Sequence, residues 1–450
     1  MEPQLISHGG TRILCLAEIR GHLSLLNELA VQYRADVIVH TGSFGFFDEN
    51  SVDKIHESYL RHIVAFSPLL DQELVDKISE LSRANGEYVD HDVQALRDLL
   101  RGRKVSEVMD YVRGEKRLNV PVYTIYGMVE DSTVLNKFRL GVYSIPNLTI
   151  LDESTTAVIK LDSELDLFLC GIGGSLSYQK LFHHGTFDNE LNKYITAEQR
   201  HNFTPVAGDP GNVWITMLQI GEFIKTVENN SQKTQVKIML SHPSPSREGL
   251  LAHLSVFLKM DYTISNGLHF LYPSSFNELS ICPNFEFYKL KFSDARSQLS
   301  SIWVQVQNTI EKVVESEPRL QDLLSTALTC FDRIPVINSK DQDIIPLALS
   351  FNKRDVNSNT IRLQSDMYYL AFQNQWHFNL CDVTIGSMVL AYQNGRMKFE
   401  ANAQGFDFTF KRSGQEVRER INSGFRRGGY GGSTGNGSRG RGTRGNYPKR

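Results

Sequence analysis

At 450 residues, 41% of them hydrophobic and 22% charged, the chain can bury a large core, and a prior of roughly 150 residues per domain suggests two or three units. No apolar stretch approaches the ~20 residues of a membrane helix, and Met1 to Gly10 lacks the basic and apolar regions of a signal peptide, so a cytoplasmic or nuclear protein without a membrane partner is expected. The net charge of −3 hides an asymmetry: residues 421–450 hold seven basic residues and no acid, which puts +7 on the tail and leaves −10 on the rest.

The first organised stretch, Arg12 to Asp48, has two apolar runs, Ile13 to Ala17 and Val37 to His40, with a helical pattern between them. That is a β-α-β unit, and in open α/β sheets chemistry gathers beyond the strand ends, here at Glu18 to His22 and Thr41 to Asp48. Residues 51–115 are charged, with Leu74, Ile78 and Leu81 at helical spacing, and read as a helical insertion. Its basic run, Arg101 to Lys104, is expected to be a solvated helix end rather than a phosphate contact. A third strand, Val120 to Tyr126, ends in Gly127-Met128-Val129-Glu130-Asp131. Strands are expected at Thr149 to Leu151, Ala157 to Leu161 and Leu165 to Gly171, the last closing on a glycine-rich turn without the marks of a nucleotide loop.

Residues 180–212 read as loop, with His183, His184 and His201 as candidate ligands whose ordinary role is a solvated side chain. A helix over Val213 to Val227 leads to the strand Val236 to His242, then a helix over Gly249 to Phe257, then Asp261 to Tyr272, a strand ending at glycine and histidine. Leu299, Ile302, Trp303, Val306, Ile310 and Val313 recur on one helix face as core packing, which defines a helical segment at 291–335. From 341 to 412 the pattern alternates, with Asn394-Gly395 a hairpin turn, and predicts a small antiparallel β unit. Its aromatics Tyr368, Tyr369, Phe372, Trp376 and Phe378 fit a core better than a base-stacking surface. The five cysteines, Cys15, Cys170, Cys282, Cys330 and Cys381, are odd in number and never spaced as CxxC, as in a chain with reduced core thiols.

The strand ends now stand in series: Glu18-Ile19-Arg20-Gly21, Gly42-Ser43, Gly127 to Asp131, His242, and Gly267-Leu268-His269. Their order and spacing over residues 11–275 resemble the calcineurin-like metallophosphoesterases, whose motifs read D-x-H, G-D-x-x-D, G-N-H-E/D, H and G-H-x-H. VIVHTGSFGFFD, SHPSPSREGLLAHLS and ISNGLHF look closest to a divergent fungal branch. The resemblance implies an α/β fold, a sandwich of mixed sheets flanked by helices, over residues 1–290.

It also implies a two-metal site holding a bridging hydroxide, and here the motif positions depart from it. Glu18 stands for the first aspartate, Arg20 for the histidine, Ser43 for the bridging aspartate, Met128 and Val129 for the third-motif Asn and His, and Leu268 for the last motif's first histidine, with His269 one position on. Arg20 cannot bind a cation and Ser43 is a poor ligand at neutral pH. Three readings stay open. Glu18, His242 and His269, with Glu130 or Asp131, hold one divalent ion (Mn, Zn or Fe) in an unconventional active phosphoesterase. Alternatively Arg20, His242, Arg247 and His269 hold a phosphate without metal. In the third, His242 and His269 are core residues and Glu18 pairs with Arg20 or another cation.

The tail, GFRRGGYGGSTGNGSRGRGTRGNYPKR, has too little apolar content to offset its ordering entropy and is expected to be disordered. It resembles RGG segments: Arg426, Arg427, Arg439, Arg441 and Arg444 supply phosphate attraction, and Tyr430 a stacking face. Low-specificity RNA binding and an arginine methyltransferase as partner are what that resemblance implies. The leading expectation is a catalytically degenerate phosphoesterase-fold protein without a cofactor, acting as an RNA-associated module.

Overall fold

The computed structural model describes residues 10–81, 91–185, 190–196, 200, 202–334, 367–406 and 408. The protein is a mixed α/β chain. In order it runs β1 (Arg12–Ala17), α1 (Ser24–Tyr33) and β2 (Val37–Thr41), then five helices of the insertion: α2 (Ser51–Lys54), α3 (Glu57–Phe66), α4 (Gln72–Leu81), α5 (His91–Leu100) and α6 (Val108–Val112). Next come β3 (Val122–Thr124), α7 (Ser132–Arg139), β4 (Leu148–Ile150), β5 (Ala157–Lys160), β6 (Asp166–Ile172), the short pair β7 (Gly208–Asp209) and β8 (Asn212–Val213), α8 (Met217–Asn230), β9 (Val236–Ser241), α9 (Gly249–Phe257) and β10 (Tyr262–Ser265). The remainder is β11 (Ser274–Asn277), α10 (Glu278–Ile281), α11 (Phe285–Val314), α12 (Pro318–Asp332), a helical stretch at 367–374, β12 (Trp376–Asn379), β13 (Gly386–Gln393) and β14 (Arg396–Ala403).

Two six-stranded sheets carry the core, in the orders β14-β13-β1-β2-β3-β4 and β11-β12-β10-β9-β6-β5. The central strands are apolar on both faces because both faces are covered. Ile13, Cys15 and Ala17 of β1 and Val37 and Val39 of β2 point inward, where they pack with Ile238 and Leu240 of β9, Ile264 of β10 and Phe378 of β12. Alternate residues Leu14, Leu16 and Ile38 point outward onto α1, α6 and α7 through Leu26, Tyr111 and Val134. On the second sheet Phe168, Cys170 and Met239 point outward onto α8, α9, α11 and α12, through Phe223, Leu251, Trp303 and Leu328. The period of two thus places one sheet against the other and a helical layer outside each. The insertion has its own small core, which reaches Phe47 and Val129 beside the first sheet's strand ends.

Helix α8 meets α12 so closely that a Cβ at Gly221 would stand 2.0 Å from the Leu323 carbonyl oxygen. Gly221→Val is expected to lower stability by roughly 3 kcal/mol through overpacking, read as a lower urea midpoint at unchanged slope.

The C-terminal strands differ from the β unit expected at 341–412. The hairpin forms as predicted, with Asn394 (φ 51°) and Gly395 (φ 72°) both left-handed, as the tightest hairpin turns require. It extends the first sheet, however, because β13 pairs antiparallel with β1. Strand β12 joins the second sheet, parallel to β10. Both sheets, with the strands expected as a separate unit, therefore lie within Met1–Gly405. Tyr368, Tyr369 and Phe372 lie on the helical stretch rather than on alternating strand positions; Tyr368, Phe372 and Phe378 are buried, Tyr369 and Trp376 exposed. The helical segment starts at Phe285 rather than 291 and belongs to the layer over the second sheet.

Candidate functional site

Beyond the ends of β1 and β2 the two chains continue side by side. The amide of Glu18 donates to the Thr41 carbonyl (3.2 Å), that of Arg20 to Ser43 (3.0 Å) and that of Gly21 to Phe44 (2.7 Å). The register is kept only by a contorted first loop, in which Glu18 (φ 62°) and Arg20 (φ 46°) are both left-handed. Such a conformation costs a non-glycine residue about 1 kcal/mol and persists where its surroundings dictate it. One cause is visible at Gly42 (φ 83°), where a Cβ would stand 2.4 Å from the Glu18 carboxylate.

Glu18 is the centre of the site and is buried. Its Oε1 accepts from Asn266 Nδ2 at 2.5 Å and lies 3.7 Å from His242 Nδ1. The Asn266 carbonyl oxygen faces that same Nδ1 at 3.3 Å, so Asn266, just past β10, bridges the carboxylate and the imidazole. On the other side Arg20 Nε is 3.5 Å from Glu18 Oε2, while its terminal nitrogen reaches Asp382 at 2.6 Å. The guanidinium also stands over the Phe66 ring, 5.5 Å from its centroid, so α3 of the insertion covers the site. Burial pulls the His242 imidazole below its ordinary value, Glu18 and Asn266 opposing. His62, on α3, is lowered to about 4, chiefly by burial, with Glu18 opposing and Arg20 adding to the shift. His40 accepts from the Ile19 amide, contacts the Thr124 hydroxyl, and is held down at about 3 by burial, then by Arg20 and His242. The cluster is one guanidinium between two carboxylates, flanked by neutral imidazoles.

The acids of the third strand's loop serve the backbone. Glu130 is fully buried and accepts from the amides of Phe44 (2.7 Å), Gly45 (3.1 Å), Phe46 (2.7 Å) and Gly127 (3.3 Å), clamping the second loop to the third. Asp131 caps α7 through the Thr133 amide and accepts from the Ser51 hydroxyl at 2.6 Å. Asp48 accepts from the buried ammonium of Lys137 at 2.9 Å.

A divalent ion needs several carboxylate, imidazole or amide donors converging on one point, with no competing cation. Here Glu18, His242 and Asn266 converge, but a guanidinium already holds the carboxylate's other face. Among the described residues no group of three His, Cys, Asp or Glu side chains is placed to hold a metal ion. The residues present do not fit a metal centre. His269 is exposed in the loop after β10, near enough to influence His242 electrostatically, and Glu130 and Asp131 are committed elsewhere. The set Arg20, His242, Arg247 and His269 is not assembled around a phosphate either. Arg247 is two-thirds exposed beside Glu248, and Arg20 is engaged by two carboxylates.

Arg101, Arg103 and Lys104 of the basic run pair with Asp98, Asp71 and Asp110. His183 lies against Trp214, whose indole N–H donates to its carbonyl, and His184 lines a small apolar cavity with Leu181, Met217 and Val314. His201 and the tail residues Arg426, Arg427, Tyr430, Arg439, Arg441 and Arg444 lie outside the described residues.

Sequence reasoning missed Asn266, Asp382, His40 and His62. Asn266 was within reach, since it precedes Gly267 at a strand end already singled out. Asp382 was hidden because its segment read as a separate β unit. Its position follows from the tertiary fold, where the loop between β12 and β13 runs back to β1 and the Val383 amide donates to the Ala17 carbonyl at 3.0 Å.

The family described as a protein of unknown function (DUF2433) matches residues 272–411. That span includes β11, α10 to α12 and β12 to β14, and supplies the Asp382 partner of Arg20. No curated protein matches the chain.

Proposed function

We propose that the protein is a phosphoesterase-fold binding or scaffold module in which two-metal hydrolysis has been lost, and that it engages RNA through its Arg/Gly-rich tail. The carrying observation is the ion pairing of Arg20 with Glu18 and Asp382, an internal cation against the carboxylate on which a metal would depend. Two mixed sheets packed face to face with helices outside are in keeping with the resemblance. The tail's +7 charge against the body's −10 supports a nucleic-acid partner for the tail rather than for the body.

Purified protein supplied with manganese, zinc or iron is expected to hydrolyse neither p-nitrophenyl phosphate nor bis-p-nitrophenyl phosphate, and to retain no stoichiometric metal. Turnover abolished by Glu18→Ala or His242→Ala overturns the loss of catalysis. For the tail, ultraviolet crosslinking to RNA is expected to fall sharply on removal of residues 421–450; undiminished crosslinking rejects the tail as the main contact.

A further inference from the structure

Strand β14 ends the first sheet: β13 pairs with it on one side, and among the described residues no strand pairs with it on the other. It is eight residues long, and each of them is exposed or half-buried. The hairpin decides which backbone groups that edge offers. Gln393 and Arg396 close the two-residue turn on each other, and the register runs unbroken from there to Gly386 opposite Ala403. Even-numbered residues of β14 therefore turn their N–H and C=O toward β13, as Gln404 does just past the strand, its amide donating to the Ile385 carbonyl at 2.9 Å. Met397, Phe399, Ala401 and Ala403 turn theirs to the open edge. The side chains divide between the two faces of the sheet. Met397 packs toward the second sheet, and the Phe399 ring lies 5.4 Å from that of Phe378 while remaining 37% exposed. On the opposite face Glu400 pairs with Arg12 at 3.0 Å, and Lys398 is exposed.

We infer that β14 is a dimer interface, in which the same strand of a second copy pairs antiparallel with it about a two-fold axis through Phe399 and joins the two first sheets edge to edge. Outward backbone groups must meet outward backbone groups, so odd-numbered residues face odd-numbered ones and the axis passes through a residue. With the axis at Phe399, Lys398 of each copy lies opposite Glu400 of the other, Met397 lies opposite Ala401, and ring meets ring. Moving the axis by one residue sets Lys398 opposite itself or Glu400 opposite itself, and moving it two residues toward the turn sets Arg396 opposite Lys398. Charges on an edge strand ordinarily prevent pairing. Here they exclude the neighbouring registers and close one, giving exposed Lys398 a carboxylate that Arg12 already holds in place. The strand is thus complementary to itself, as a two-fold contact between identical chains requires, and that selects a second copy over an unrelated strand.

The test is sedimentation equilibrium of the full chain, without RNA, from about 1 to about 100 µM, where a species of twice the 51.1 kDa chain mass is expected. Ala401→Pro removes an outward N–H and leaves the pairing with β13 whole, so it is expected to be monomeric with a native urea midpoint. Lys398→Glu sets like charges opposite one another at both ends of the contact and is expected to raise the dissociation constant about tenfold. Phe399→Cys brings two thiols to the axis with Cα atoms roughly 5.5 Å apart and is expected to link the copies under mild oxidation. Ala401→Cys, whose two copies stand roughly 14 Å apart along the strands, is expected not to. A native chain that stays at the monomer mass overturns the interface, and a dimer that persists in Ala401→Pro overturns β14 as the contact. Unchanged affinity in Lys398→Glu, or linking of Ala401→Cys as complete as that of Phe399→Cys, overturns the register. Where Ala401→Pro fails to fold, absence of linking in Phe399→Cys overturns the contact in its place.

Discussion

Glu130→Ala is expected to cost roughly 4 kcal/mol, the largest loss from a single substitution in the strand-end loops, and to do so without altering a surface residue. The side chain is fully buried, and its two oxygens accept from the amides of Phe44, Gly45, Phe46 and Gly127. Truncation leaves four buried N–H groups facing a cavity, each worth about 1–3 kcal/mol when unsatisfied, with partial relief from water entering the space. Burial pushes this carboxyl up to about 8, against the pull of the backbone groups. Glu130→Gln keeps one acceptor and the shape, and is expected to cost about half as much. Chemical unfolding monitored by tryptophan fluorescence measures both. A loss under 1 kcal/mol for the alanine variant would show that the loop holds without the clamp. Because the clamp fixes Ser43 and Phe44, whose carbonyls receive the Arg20 and Gly21 amides, its removal is also expected to loosen the Glu18–Arg20 pair.

Stability is expected to fall steeply as the pH drops from about 6.5 to about 4. Four histidines are kept neutral in the folded protein: burial lowers His253 and His62 to about 4, and His40 and His377 to about 3. A histidine with a depressed folded-state value contributes stability above its unfolded value near 6.5, and that contribution is lost as the pH falls toward the folded value. Two buried acids oppose this. Burial raises Glu130 to about 8 and Glu153 to about 7, so each binds a proton in the folded state that the unfolded chain gives up above about 4.5. The histidines held neutral outnumber the acids held protonated, so unfolding takes up protons on balance and stability falls as the pH drops. Urea midpoints at pH 7, 6 and 5 measure the slope. His253 contributes most plainly, since its imidazole is held between the Tyr368 hydroxyl (2.6 Å) and the Cys330 carbonyl (2.8 Å). His253→Asn should flatten the profile while lowering stability at neutral pH. A flat profile in the native protein would mean that these imidazoles are hydrated and titrate normally.

The elements were legible where a local pattern decides them. The apolar runs at β1, β2, β9 and β10, the helix over Gly249–Phe257 and the Asn394-Gly395 turn all follow from period, propensity and backbone freedom within a few residues. So did the presence of Glu18, Arg20 and Ser43 beyond the first two strands, since identity needs no coordinates. The pairing of Glu18 with Arg20 was one of the readings left open and is the one observed.

What lay beyond the sequence is what joins distant segments. Alternation at residues 376–403 predicts strands, but alternation carries no address. That β12 joins β10 in one sheet while β13 joins β1 in the other depends on which edges were left open once both sheets had formed. Asp382 thereby reaches Arg20 across more than 360 positions, and Asn266 reaches Glu18 across 248. By itself the sequence placed Glu18, Arg20 and Ser43 beyond the ends of the first two strands and left their partners open. Only the tertiary structure decided those partners, because it brings buried Glu18 and half-buried Asp382 to either side of one guanidinium, the cation that two carboxylates drawn together there require.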